Sequence, residues 1–320
     1  MVSMAEYSSK LQMPDTLKPA RGGILDYIFF LRPMLHPPVW TIVILGYYRS
    51  PSRPESISVL ILLLAISSAA AGWAYVVNQI TDVESDRINN KLYFLPRGLV
   101  SLKASYIMAF ILFSLTLIGG FLMSRTIALL FGLGLILGYA YSAGPLMGKN
   151  RPVTGAFING MAHGILPFMA GQIAAGGDWK SALALSVPYF FAVVAVFIGT
   201  TIPDISGDSR IGKITPAVVM GTGPATVAMT FSVIISIVLG LLAGDTPLAI
   251  AAILSLPFYI VAVIRPSDRA AVIAVKISVL FLSLAACWRF WPYAVTLIVL
   301  LVSTRAYYRR RFGLSYPSIA

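Results

Sequence analysis

Long apolar runs alternate with short connectors rich in Arg, Lys, Gly and Pro along almost the whole chain. Breaks at glycine, proline and charge predict membrane-crossing helices near 27–48, 57–80, 104–124, 126–145 and 153–175. Further spans fall near 182–203, 220–243, 246–264 and 270–288, and a shorter apolar stretch follows at 291–306. Each of the nine is long enough to cross a hydrocarbon core about 30 Å thick, and the last stretch is a candidate tenth. Arg32-Pro33 and His36-Pro37-Pro38 interrupt the first span, which predicts a separate interfacial turn at its entry. Glycines at 132, 134 and 138, and at 171, 176 and 177, are expected to let helices approach closely.

Composition agrees with this pattern. Of 320 residues, 58% are hydrophobic and only 11% charged, with a mean hydropathy of +0.84. Soluble domains carry about 25% charged residues, so the chain reads as an all-α integral membrane protein. The net charge of +12 does not point to nucleic acid, because the basic residues are scattered between spans. With the amino terminus in the cytosol and ten alternating spans, 18 of the 24 Lys and Arg fall on the cytosolic side and 5 on the other, with Lys276 inside a span. That asymmetry obeys the positive-inside rule and suits a cell inner membrane. Residues 1–24 read as a polar tail without a secretory signal, 25–306 as the transmembrane domain, and 307–320 as a basic cytosolic tail. The single cysteine, Cys287, rules out an internal disulfide, and no Cys or His occurs at zinc-ligand spacing.

Against this background two acidic stretches stand out, Asn78-x-x-x-Asp82-x-x-x-Asp86 after the second span and Asp204-x-x-x-Asp208 after the sixth. Residues four apart share a helix face, so each stretch forms a carboxylate claw. Glu84 falls off that face and reads as solvated. Close carboxylates resist ionising together unless a cation lies between them, and oxygen-only donor sets suit Mg²⁺, with Mn²⁺ as a substitute, rather than zinc. The four carboxylates of Asp82, Asp86, Asp204 and Asp208 are therefore expected to converge as catalytic metal ligands on the cytosolic side. Basic and polar groups flank them: Arg87, Asn89, Asn90, Lys91 and Arg97 after the first claw, Arg210 and Lys213 after the second, and Tyr139, Tyr141 and Lys149 after the fourth span. Metal and basic side chains together make a receptor for a diphosphate. An apolar bundle beneath such a receptor predicts a substrate with a polar head and a long hydrocarbon tail, the shape of an isoprenyl diphosphate.

The motifs resemble those of the UbiA-type intramembrane prenyltransferases. Asn78-x-x-x-Asp82-x-x-x-Asp86, Asn89 and Pro96-x-Gly98-x-x-Ser101 are similar to their first motif. Asp204-x-x-Gly207-Asp208-x-x-x-Gly212-x-x-Thr215 is similar to the second, and Tyr141-Ser142-Ala143-Gly144-Pro145 with Lys149 to the third. Arg32-Pro33 and Asn159 also stand where the family has them. Two departures are Tyr93-Phe94, where many members carry Arg-Pro, and Gln79 after Asn78. The resemblance implies a bundle of nine helices, or ten with the last stretch, around an apolar cavity. It implies Mg²⁺-dependent transfer of an isoprenyl group to a lipophilic or aromatic acceptor, with diphosphate leaving as an allylic cation forms. Asn78, Arg87, Tyr141, Lys149, Asn159, Arg210 and Lys213 are the expected substrate-binding residues. His163, one turn after Asn159, reads first as a helix-bridging polar group.

Two other functions fit part of the pattern. A membrane terpene cyclase would ionise the same diphosphate and let the chain trap its own cation. A cation-coupled secondary transporter would also place carboxylates in a bundle, but near the bilayer midplane in broken helices. Here they lie at span ends beside basic loops.

Overall fold

The computed structural model describes residues 22–52, 57–88 and 94–317. Most of the polar tail and Asn89, Asn90, Lys91 and Tyr93 lie outside the described residues. The chain enters through α1 (Ile24–Phe30) and a single 3-10 turn, Pro33–Leu35, before α2 (Pro37–Arg49). The two arms bend by 55° at this break. The cause is sequence-local: proline removes amide donors and Arg32 adopts a left-handed backbone with φ 54°. The interruption predicted at Arg32–Pro38 is therefore a real elbow.

Seven further elements build the rest of the bundle's first two thirds. They are α3 (Ser58–Thr81), α4 (Val83–Ile88), α5 (Leu102–Met123), α6 (Arg125–Ser142), α7 (Pro152–Ala174), α8 (Trp179–Thr201) and α9 (Ile205–Arg210). The short α10 (Pro216–Met220) leads into α11 (Thr222–Leu242), α12 (Thr246–Ile264), α13 (Asp268–Arg289) and α14 (Pro292–Phe312). Oxygen side chains start several spans by accepting orphan backbone amides. Ser101 takes that of Ala104, Ser124 that of Ile127, and Asp245 that of Leu248, each at 3.1 Å.

Among the described residues, eight helices are long and apolar enough to cross a membrane, and the elbowed α1–α2 pair brings the count to nine. The protein is thus a multi-pass integral membrane protein. The stretch expected at 291–306 is a separate helix after a turn at Phe290–Trp291 rather than a bent end of α13. It runs on to Phe312 through Arg305 and Arg309–Arg311, which leave it less apolar than the eight spans.

Neighbouring spans pack pairwise, α8 on α11, α12 on α13, α3 on α5, and α2 on the second half of α7. The α2–α7 contact is the tightest. A Cβ on Gly171 would stand 2.2 Å from the Val43 carbonyl oxygen, and one on Gly46 2.2 Å from that of Phe168. Glycine here lets two backbones touch, as membrane packing without a hydrophobic driving force requires. Gly132 and Gly134 differ from expectation. Ordinary contact distances of 3.9 and 3.8 Å surround them, and Gly134 lines the central cavity instead.

Candidate active site

The first motif straddles a helix end. α3 stops at Thr81, Asp82 leaves helical geometry with ψ 5°, and α4 resumes at once. The backbone bridges the break: the Asp82 amide donates to Asn78 O at 3.0 Å and the Asp86 amide to Asp82 O at 2.8 Å. The four-residue spacing thus survives, and the Asn78 amide donates to Asp82 Oδ2 at 3.1 Å. The second motif repeats the device. Asp204 caps α9 and its carbonyl accepts from the Asp208 amide at 2.8 Å. Gly212, at φ 69°, then turns the chain back so that the Lys213 amide reaches Asp208 O at 2.9 Å.

Two lysines answer the carboxylates. Lys149, on the 3-10 turn Gly148–Asn150, has a side chain only 5% exposed. Its ammonium pairs with Asp82 and donates to Thr81 Oγ1 at 3.1 Å. Lys213 Nζ stands 3.6 Å from Asp208 Oδ1. A buried ammonium is tolerated when paired and hydrogen-bonded, so the loop after α6 is tied to the end of α3 by charge.

Beneath this rim lies a cavity of about 550 Å³ whose wall is mostly apolar. Its lining includes Asn78, Tyr141, Lys149, Asn159, Asp204, Asp208 and Lys213, so seven of the expected site residues share one space. Lining residues Ser67 and Asn78 are three helical turns apart on α3, which gives a depth of about 16 Å at the helical rise of about 1.5 Å per residue. The Tyr141 hydroxyl hydrogen-bonds the Asn159 side chain and lies within electrostatic reach of Asp82, Asp208 and Arg32. Tyr141 thus stands between the two motifs.

Four of the expected site residues are not on the lining. Among the described residues, no three carboxylate, His or Cys side chains come close enough together to hold a metal ion. Asp82 engages Lys149, and neither Asp82 nor Asp86 lies on the cavity lining. Arg87 is 59% exposed and bonds Glu84 at 3.1 Å outside the cavity. Arg210 is likewise exposed and off the lining. Both arginines sit on short helices whose other face carries the motif carboxylate, so a phase difference of one or two residues turns them away.

The structure adds residues that the sequence-level set left out. Arg32 lines the cavity, its guanidinium 5.9 Å from the Tyr75 ring centroid. Its Arg-Pro context was visible, but its direction depends on the elbow. His163 and Thr215 also line the cavity, and His163 Nδ1 and Thr215 Oγ1 are buried without an aligned hydrogen-bond partner. His163 sits on a π-helical turn, Gly160–Ile165, inside α7. Such bulges rotate the following residues and recur at functional sites, and nothing in the sequence spacing announces one.

The remaining donors suit a hard cation. Aspartate oxygens and the Asn78 amide are all oxygen ligands of the kind Mg²⁺ takes. One ammonium stands against each claw, Lys149 on Asp82 and Lys213 on Asp208.

Comparison with known proteins places this architecture. The curated relatives include the bacteriochlorophyll synthase 34 kDa chain of Chloroflexus aurantiacus, 28% identical over 49% of this chain and 51% of that protein. Digeranylgeranylglyceryl phosphate synthase of Sulfolobus acidocaldarius is 30% identical over 58% of this chain and 64% of the relative. Chlorophyll synthase of Arabidopsis thaliana is 27% identical over 61% and 53%. The chain thus spans about half to two thirds of the length of these relatives. Among solved structures, a UbiA homolog from Archaeoglobus fulgidus bound to GPP and Mg²⁺ shares the fold at a TM-score of 0.67, with 19% identity over 86% of this chain and 99% of that one. The sequence pattern of the UbiA prenyltransferase family matches residues 38–283, and the chain belongs to that family.

Proposed function

We propose that the protein transfers an isoprenyl group from an isoprenyl diphosphate to a lipophilic or aromatic acceptor and releases diphosphate in a Mg²⁺-dependent reaction. The observation that carries this reading is the placement of carboxylates and ammonium groups on one rim of a deep apolar cavity. Relatives solved with GPP or DMAPP and Mg²⁺ support it. Asp82, Asp86, Asp204 and Asp208, no three of which stand together without the substrate, would close on the cation, which would supply neutralisation of diphosphate charge as the allylic C–O bond breaks.

The chain's own groups do the rest. Lys213 and Arg32 face the diphosphate from the lining, and Lys149 shares its charge between Asp82 and the leaving group. Stabilisation that grows as the anion develops accelerates the step, because it favours the transition state over the bound substrate. The apolar wall, formed in part by Ala70, Ala71, Leu130 and Leu166, excludes water from the allylic cation. Asn159 and His163, deeper than the rim, meet the acceptor. The rim faces the cytosol, in keeping with the distribution of basic loops.

Membranes carrying the protein, incubated with labelled geranyl to geranylgeranyl diphosphates and a panel of acceptors, test the reading. Diphosphate release should require both Mg²⁺ and an acceptor, and product mass should be that of the acceptor plus the prenyl group minus one hydrogen. Full turnover in EDTA-treated membranes would overturn the metal role, and conversion of the diphosphate alone to a hydrocarbon would make the protein a cyclase.

A further inference from the structure

The last helix ends on the first. At one end of α14 the Tyr293 hydroxyl hydrogen-bonds the Pro37 carbonyl at 2.8 Å. At the other, Tyr307 and Arg311 converge on Asp26 of α1, whose side chain is 4% exposed. Asp26 Oδ1 accepts from Tyr307 Oη at 2.5 Å and from Arg311 Nε at 3.0 Å. Asp26 Oδ2 accepts from Arg311 Nη2 at 3.0 Å and from the Gly23 amide at 2.7 Å. A buried carboxylate with a bidentate arginine, a tyrosine and a backbone amide is fully satisfied and rigid.

Aromatic stacking widens the contact. Tyr307 lies flat on Phe29 with ring centroids 3.9 Å apart, and Phe94 packs against Phe30, Tyr307 and Phe312. Asp26, Tyr307 and Arg311 all lie outside the stretch, 38–283, that matches the family. The clamp thus joins the two segments that flank the matched stretch.

Its mechanical output is at the rim. The last carbonyl of α1, that of Phe30, accepts from the buried Gln79 amide at 2.8 Å, one residue after Asn78. Two residues beyond Phe30 stands Arg32, held at φ 54° and ψ 54° on the cavity lining. A left-handed backbone at a residue with a Cβ is unfavourable and persists only where the surroundings over-determine it. The clamp fixes α1 on one side of Arg32, and the prolines of the elbow fix α2 on the other.

We propose that Asp26, Tyr307 and Arg311 are positioning residues that hold Arg32 toward the diphosphate end of the cavity and thereby set affinity for the prenyl diphosphate. The proposal rests on the cavity taking an isoprenyl diphosphate. The test is steady-state kinetics on full-length protein, with equilibrium binding of a non-reactive geranyl S-thiolodiphosphate as probe. Asp26→Asn and Arg311→Gln should each raise KM for the prenyl diphosphate and Kd for the probe about 5- to 10-fold, with kcat and acceptor KM within about twofold. Tyr307→Phe keeps the stack on Phe29 and should give about two- to threefold, which preserves a readable variant if the charge variants fold poorly. In an Arg32→Gln background the same substitutions should add nothing. Equal losses with and without Arg32, or losses confined to kcat, would reduce the clamp to packing and overturn the proposal. Wild-type protein that binds the probe while the variants bind it equally well would sink the clamp alone. Wild-type protein that fails to bind it would take the diphosphate reading down as well.

Discussion

Lys149→Met tests the charge arrangement of the rim most directly. Methionine keeps much of the apolar stem, so the loss is the ammonium. That group pairs with Asp82 and donates to Thr81 at 3.1 Å, with side-chain exposures of 5% for Lys149 and 20% for Asp82. Breaking a fully buried pair costs about 3–5 kcal/mol. Here Asp82 keeps some contact with water and the Asn78 amide at 3.1 Å, which brings the expected loss down to about 1–2 kcal/mol. For chains of about 150–250 residues each kcal/mol moves the unfolding midpoint by about 2–4 °C, so thermal unfolding in detergent should fall by several degrees. Asp82→Asn strands the more deeply buried partner and should cost at least as much. The double variant should lose less than the two singles together, with a coupling of about 1–3 kcal/mol. In turnover, Lys149→Met should raise KM for the prenyl diphosphate about tenfold, equivalent to about 1.4 kcal/mol. Additivity of the two substitutions within about 0.5 kcal/mol, together with an unchanged KM, would refute the reasoning.

Two further outcomes follow from packing and topology. Gly171→Val puts a branched side chain where a Cβ already stands 2.2 Å from the Val43 carbonyl. It should lower stability by more than about 3 kcal/mol, seen as loss of monodisperse protein on extraction, while a valine at Gly132, with 3.9 Å to its nearest neighbour, should be tolerated. Cysteines placed at the exposed Lys103 and Ser209, after replacing Cys287 by alanine, should resist an impermeant thiol reagent in intact cells and react after lysis. Labelling before lysis would invert the orientation.

Much of this protein is legible in its sequence because the deciding forces are local. A run of apolar residues must become a helix in a bilayer, since no other structure satisfies its backbone there; eight of the predicted spans and the proline elbow of the first appear accordingly. The claw shape of each motif is likewise local, carried by hydrogen bonds from Asp82 and Asp86 to the residue four before, and from Asp208 to Asp204. Periodicity says which side chains of one helix point together. It says nothing of how that helix is turned toward another, and there tertiary structure decided. The turn of each span is set by contacts such as Gly46 and Gly171 against facing carbonyls, and it brings Lys149 onto Asp82 while leaving Arg87 in solvent. Equal charge in the same kind of loop thus acquires opposite placement. The clamp is beyond any local rule, since Arg311 lies 285 residues from Asp26. Only the return of α14 along α1 makes an aspartate in the first helix and an arginine in a basic run into one buried pair, because a charge leaves water only where its partner already waits.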